Sequence, residues 1–320
     1  MTRRLIPALL LGFLVLVALA LVSDLRQVSA RVWTFDWALY PFVLALTLFN
    51  YTLRFVKWHF YLQQIGVRGM SLKESARLFV GGFPLAVTPG KVGEALKGVW
   101  IQQRSGIPAA RGISVVVAER ISDGLAVLGL SSMGVIAYPR YWPAFAAVLA
   151  VLLGVVVVSQ VRPLAEAVLN WSERAPVVKR VSPPLRQFYE GSFAVFQPRA
   201  TLTAVGLGMV SWLGEGMGLY LILLGLDVPP GWKSLSVAVF ALSFSIVLGA
   251  ASTLPGGIGA SEASIAAMLA LLLQLNASTA AAATLLIRFA TLWFGVSIGL
   301  AVWAVSPDLL GFKELSKTDD

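Results

Sequence analysis

Glu94 is followed by Arg120 and Glu262 by Arg288, in both cases 26 residues on, within a chain that is otherwise strongly apolar. A guanidinium presents a planar fork of donors that matches phosphate or carboxylate, and a carboxylate accepts an amine, a hydroxyl or a cation. Two such pairs could hold a ligand of both signs, such as a zwitterionic or phosphorylated headgroup. Three more acids join the inventory. Glu119 and Asp123 are four residues apart and share a helical face, with Arg120 about 100° around from Glu119. Glu215, in "WLGEGMG", reads either as a hydrogen bonder at a small-residue packing site or as a proton carrier. An ionised side chain at membrane depth costs about 2.5–3.5 kcal/mol, so such groups are paired or face a wet cavity. The plainer alternative is that Glu94 and Glu262 cap helices and bridge to their arginines, locking the fold.

The missing residue types narrow the chemistry further. The chain has no cysteine and one histidine, His59, which removes disulfides, thiolate chemistry and histidine-rich metal or acid–base centres. His59, beside Trp58 at the end of an apolar run, reads as an interfacial residue. With no nucleotide-binding signature, any driving force would be an ion gradient or downhill scrambling. No cofactor, metal or catalytic residue is expected. Carboxylate-only chemistry at Glu94, Glu119 and Asp123 is the enzymatic alternative.

These side chains must be positioned by membrane helices. Hydrophobic residues make up 58% and charged residues 13% of 320, well outside the range of soluble domains. Apolar runs long enough to span the ~30 Å hydrocarbon core occur at Leu5–Val22, Leu39–Val56, Gly112–Ile136, Trp142–Val161, Ala200–Leu224 and Ala280–Val305. Weaker runs lie at Leu78–Val87, Leu235–Leu254 and Ile258–Leu273. Runs this long and uniform are not barrel strands, so the expected class is an all-α polytopic membrane protein in one domain covering 1–320.

The motifs around the acids repeat. "TPGKVGE" (Thr88–Glu94) resembles "TLPGGIGASE" (Thr253–Glu262). Upstream, "YLQQIG" at Tyr61–Gly66 faces "YLILLG" at Tyr220–Gly225, and "MSLKES" faces "KSLSVA". The reading is two repeats, about 39–137 and about 200–305, each carrying a re-entrant hairpin, over 72–105 and 235–275. The helices before the hairpins run in opposite directions across the membrane. The repeat is therefore inverted, with the hairpins meeting near the midplane as in many transporters. Lys73 to Val87 would make about 22 Å of helix, enough to pass the midplane but not to cross. Pro89 and Pro255 would stop the incoming arms, while Gly90, Gly93, Gly256, Gly257 and Gly259 permit reversal and close backbone approach. Returning arms beginning near Lys91 and Ile258 would aim N–H groups at an anion.

The net charge of +9 is distributed as membrane topology requires rather than as a nucleic-acid footprint. Arginines and lysines, Lys57, Lys91 and Lys97 among them, collect on loops of one side, which places both termini in the cytoplasm of a cell-membrane protein. The long first apolar run reads as an uncleaved helix rather than a signal peptide, although "VSA" at Val28–Ala30 resembles a cleavage site. Arg54 and Lys57 read as snorkelling anchors, and Trp33, Trp37, Trp58, Trp142 and Trp232 as interface belts. Residues 162–199 read as a cytoplasmic amphipathic linker.

With "GGFPLAVTPGKVGEALK", "AERISDG" and "TLPGGIGASEAS" on the page, the chain resembles the flippase-like family also called the lysylphosphatidylglycerol synthase transmembrane region, over about residues 5–305. Larger members join this region to a soluble aminoacyltransferase domain. Here the sequence ends at "GFKELSKTDD", so lysyl transfer is not expected. The resemblance implies translocation of a phospholipid or polyprenyl-linked headgroup between leaflets, with Glu94, Arg120, Glu262 and Arg288 at its motif positions. Expected partners are membrane lipids and a lipid-linked substrate, with a homodimer or a separate lipid-modifying enzyme as protein partners to test. The alternatives are a transporter of a small ion or solute and a membrane-embedded lipid-modifying enzyme.

Overall fold

The computed structural model describes residues 25–137, 142–163, 166 and 182–310. The expected span Leu5–Val22, most of the 162–199 linker and the C-terminal "GFKELSKTDD" lie outside the described residues. All regular elements among the described residues are helical: α1 (Leu25–Trp33), α2 (Tyr40–Gln64), α3 (Leu72–Gly81), α4 (Leu96–Ser105), α5 (Ala109–Ala137), α6 (Trp142–Gln160), α7 (Ser182–Val195), α8 (Pro198–Gly225), α9 (Trp232–Ala251), α10 (Ala260–Leu273), α11 (Ala277–Arg288) and α12 (Phe294–Val305). Among the described residues, five helical stretches are long and apolar enough to cross a membrane: Trp37–Gln64, Pro198–Gly225, Trp232–Ala251, Pro255–Leu273 and Ala277–Val305. This is an all-α, multi-pass membrane protein.

Local sequence explains where the site-bearing elements begin. α3 opens on Ser71, whose hydroxyl accepts from the Glu74 amide at 3.2 Å, the first half of an S-x-x-E cap. α11 opens on Asn276, whose side chain accepts from the Thr279 amide at 2.8 Å. α10 opens on Gly259, and Glu262 reaches back to take the Gly259 N–H at 2.6 Å. A five-residue π segment, Phe289–Trp293, joins α11 to α12 immediately after Arg288. Such segments are frequent at functional sites.

Two apolar clusters flank the middle of the molecule. One gathers Val43, Leu219, Ile222, Ala238, Ile265 and Ile287 from α2, α8, α9, α10 and α11. The other gathers Trp58, Leu78, Phe79, Ile101, Val115 and Trp303 from α2 to α5 and α12. Between them the loops of the two helical hairpins touch, Val87 of the first packing with Ile258 of the second and with Val296 of α12.

Several expected boundaries move. α3 stops at Gly81 rather than running to Val87, because Pro84 supplies no N–H; two 3-10 segments, Phe83–Val87 and Pro89–Ala95, follow. The returning arms start at Leu96 and Ala260, not at Lys91 and Ile258. The second hairpin's incoming arm, α9, has 20 residues, about 30 Å, whereas α3 has 10. α2 ends at Gln64, within the Tyr61–Gly66 motif as expected, but Arg54 and Lys57 turn onto Asp123 and are not snorkelling anchors. Trp58 is fully buried against Phe79, a core residue rather than a belt residue, whereas Trp33, Trp37, Trp142 and Trp232 are exposed.

Candidate functional site

Each repeated carboxylate meets its own arginine. A guanidinium nitrogen of Arg120, on α5, lies 3.1 Å from Glu94, which sits in the 3-10 segment before α4. Arg288, at the end of α11, places Nε 2.5 Å from Glu262 Oε1. Glu262 thereby uses one oxygen on Arg288 and the other on the Gly259 amide, tying the second loop to its returning helix. Arg288 also points Nη2 at the Gly256 carbonyl, 3.4 Å away.

The loops differ in how they turn. In the second, Gly256, Gly257 and Gly259 have φ of +62°, +67° and +91°, a region that L side chains rarely enter. Gly257 additionally lies where a Cβ would come 2.9 Å from the Gly249 Cα of α9, so hairpin closure depends on its missing side chain. In the first loop, Gly93 has no positive φ; its amide donates to Thr88 Oγ1 at 2.9 Å, and a Cβ there would meet Thr88 at 2.6 Å. Pro89 begins the first loop's second 3-10 segment, which includes Gly90, and their side-chain surroundings lie outside the described residues. Pro255 begins the equivalent short 3-10 turn of the second loop.

A cavity of about 150 Å³ lies where the hairpins approach, walled by α2, α8, α9, both loops and the π segment. Its charged lining is Arg54, Glu94, Lys97, Arg120, Glu215 and Arg288, with Gly256 and Gly257 among its backbone contacts. Glu119, Asp123 and Glu262 stand one layer back as partners of the lining cations. Lys97 donates to Glu119 at 3.2 Å and sits 5.0 Å over the Trp58 ring. Asp123 takes Lys57 directly, Arg54 at 3.5 Å and Arg120 at 3.9 Å. Tyr51 closes one wall by donating to the Thr291 carbonyl at 2.6 Å.

Five cations and five carboxylates thus share one buried cluster among the described residues. Four of the carboxylates have a cation within 4.0 Å. Glu215 is the fifth: it is 5% exposed, lines the cavity, and makes no hydrogen bond or ion pair with any described residue. Some donors are also spare. Nε of Arg54 and Nε of Arg120 are buried without an acceptor. A guanidinium carries five N–H donors, so both side chains keep capacity for an added acceptor.

Of the residues singled out from sequence, Glu94, Arg120, Glu215, Gly256, Gly257 and Arg288 line the cavity, and Glu119, Asp123 and Glu262 support it. Arg54 and Lys57 read from sequence as anchors rather than site residues, and Lys97 and Tyr51 carried no site reading. Lys57 and Lys97 had been placed on cytoplasmic loops, yet both are buried and paired. Spacing held a clue for one of them: Lys57 follows Arg54 by three residues, one turn of a helix that runs further than its apolar stretch.

A sequence profile of the family described as the lysylphosphatidylglycerol synthase TM region matches residues 9–299. A UPF0104 membrane protein of Methanothermobacter thermautotrophicus is 25% identical over 281 residues, covering 81% of this chain and 80% of the relative.

Proposed function

We propose that this chain, which belongs to the lysylphosphatidylglycerol synthase TM region family, moves a lipid headgroup between bilayer leaflets. The headgroup occupies the cavity between the hairpin loops while the acyl or polyprenyl tails stay in the bilayer. The observation that carries this reading is the cavity's mixed lining, in which the partly buried Arg54, Arg120 and Arg288 stand beside the buried Glu94 and Glu215. Arginine forks with spare donors suit a phosphate, and the carboxylates suit an amine or hydroxyls. A structural lock alone would pair every carboxylate with a cation, whereas Glu215, buried at the cavity wall, makes no ion pair with a described residue, and Nε of Arg54 and of Arg120 lack an acceptor. The two hairpins are read as belonging to the two halves of an inverted repeat, about 39–137 and 200–305, which rock against each other around this site. The setting is the cell membrane, with both termini cytoplasmic and no catalytic step.

The test is leaflet exchange of headgroup-labelled phosphatidylglycerol, its aminoacylated form and a polyprenyl phosphate in vesicles containing the purified protein. Glu94→Gln and Arg120→Gln should each slow exchange by about 10- to 100-fold, corresponding to one lost charged hydrogen bond. Exchange of all three lipids at the rate of protein-free vesicles, with and without a proton gradient, would refute the reading.

A further inference from the structure

We propose that Glu215 is a proton-binding site coupled to anion occupancy of the cavity: it takes up one proton when a phosphate group enters and releases it when the phosphate leaves. This deepens the headgroup reading above and rests on it. The argument begins with the charge ledger. Every other carboxylate in the cluster is held by a cation, so its charge is committed to the fold whatever the cavity contains. Glu215 is nine-tenths buried, points into the cavity and has no partner among the described residues. With Glu215 ionised, five cations face five carboxylates and the cluster is neutral. With Glu215 protonated the cluster carries one net positive charge, and an entering phosphate meets it without an opposing carboxylate.

The groups that surround Glu215 set the sign of this coupling. Its own helix, α8, packs against α2, α5, α9 and α11. From α2 come Tyr51, Arg54 and Lys57; from α5 come Glu119, Arg120 and Asp123; from α11 comes Arg288. The wall formed by α9 contributes Ser245 and no titratable residue. The first loop and α4 add Glu94 and Lys97. Among these, Arg54 and Arg288 line the same cavity as Glu215, and Asp123 stands behind Arg54 at 3.5 Å. Arg54 and Arg288 are therefore shared: in the empty cavity they offset a Glu215 carboxylate, and in the occupied cavity they turn to the phosphate. An anion that draws off this attraction and adds its own negative charge favours the protonated acid, as a like charge beside a carboxylate does. By reciprocity, protonation of Glu215 must tighten anion binding by the same factor. Anion affinity is then highest at low pH, where Glu215 is already neutral, and falls as pH rises through the range in which Glu215 ionises in the empty cavity. One linked proton sets the limit at about tenfold per pH unit.

The experiment is isothermal titration of the purified full chain in detergent with short-chain phosphatidylglycerol, across pH and in two buffers of different ionisation enthalpy. The wild type should take up nearly one proton per lipid bound, with affinity falling as pH rises. Glu215→Gln, an isostere of the protonated acid, should bind with the wild type's low-pH affinity at every pH and with no proton uptake. Glu215→Asp, a second variant that keeps a titrating group, should retain proton uptake with a displaced midpoint; an undisplaced midpoint would overturn the assignment even if Glu215→Gln failed to fold. Wild-type binding without proton uptake, or a Glu215→Gln variant keeping the wild-type pH slope, would overturn the coupling while leaving the headgroup site intact. No binding of the lipid by wild type or either variant would overturn the site itself, and the coupling with it.

Discussion

Asp123 holds three cations, and that asymmetry makes a sharp test of how the buried cluster is built. Lys57 is 1% exposed and has Asp123 as its ion-pair partner, while Asp123 also lies 3.5 Å from Arg54 and 3.9 Å from Arg120. At an effective dielectric near 20, each of those two contacts carries about 4–5 kcal/mol of attraction before desolvation is counted. Lys57→Met therefore leaves the carboxylate compensated, removes an ammonium that was costly to bury, and should cost no more than about 2 kcal/mol. Asp123→Asn leaves Lys57 buried without a counter-ion and strips Arg54 of its carboxylate, which should cost about 3–5 kcal/mol. At roughly 2–4 °C per kcal/mol the apparent melting temperature should fall by about 10 °C in Asp123→Asn and by less than half of that in Lys57→Met. The assay is thermal unfolding of the purified protein in one detergent, followed by tryptophan fluorescence, with the double variant included. Because Arg54 loses its contact carboxylate and keeps only the more distant Glu215 across the cavity, the double variant should remain less stable than Lys57→Met. Recovery of the double variant to wild-type stability, or equal losses in the two single variants, would refute the three-cation arrangement.

Gly257→Ala combines a left-handed backbone at φ +67° with a Cβ 2.9 Å from the Gly249 Cα, and should lower stability by about 2–4 kcal/mol. Gly154→Ala, on α6 with nothing within 4 Å of the added carbon, is the control and should be neutral or stabilising by up to about 1 kcal/mol in the same unfolding assay. Asp308 joins Arg77, at 3.1 Å, and Arg104, holding the segment after α12 against the first hairpin. Arg77 and Arg104 are 28% and 36% exposed, so Asp308→Asn should shift stability by less than about 1 kcal/mol, and the difference should shrink as salt is raised.

The boundary between what was legible in the sequence and what was not follows the physics of each signal. Apolar composition and run length determine the all-α membrane class by themselves, because unpaired backbone groups in lipid leave helices as the solution for long uniform runs. The shared 26-residue interval of Glu94–Arg120 and Glu262–Arg288 was enough to pair each acid with its arginine, since a buried charge must find a counter-charge and the repeat offered one candidate twice. The Pro-Gly motifs located the loops for a similar local reason: proline removes a donor and glycine opens the left-handed region.

Tertiary structure decided the rest. The apolar run stops at Val56 although the helix continues into the Tyr61–Gly66 motif, and only packing shows that Arg54 and Lys57 turn inward onto Asp123 rather than outward as anchors. Lys97 likewise has an ordinary loop-like sequence context, and only the approach of α4 to α5 shows that it neutralises Glu119. Ion-pair partners from different helices carry no fixed spacing along the chain. That is also why the sequence by itself determined that Glu215 is an acid among small residues, but not that every neighbouring carboxylate is claimed by a cation and this one is not. Its isolation is a property of the whole cluster, set by which side chains seven separate elements bring around one cavity.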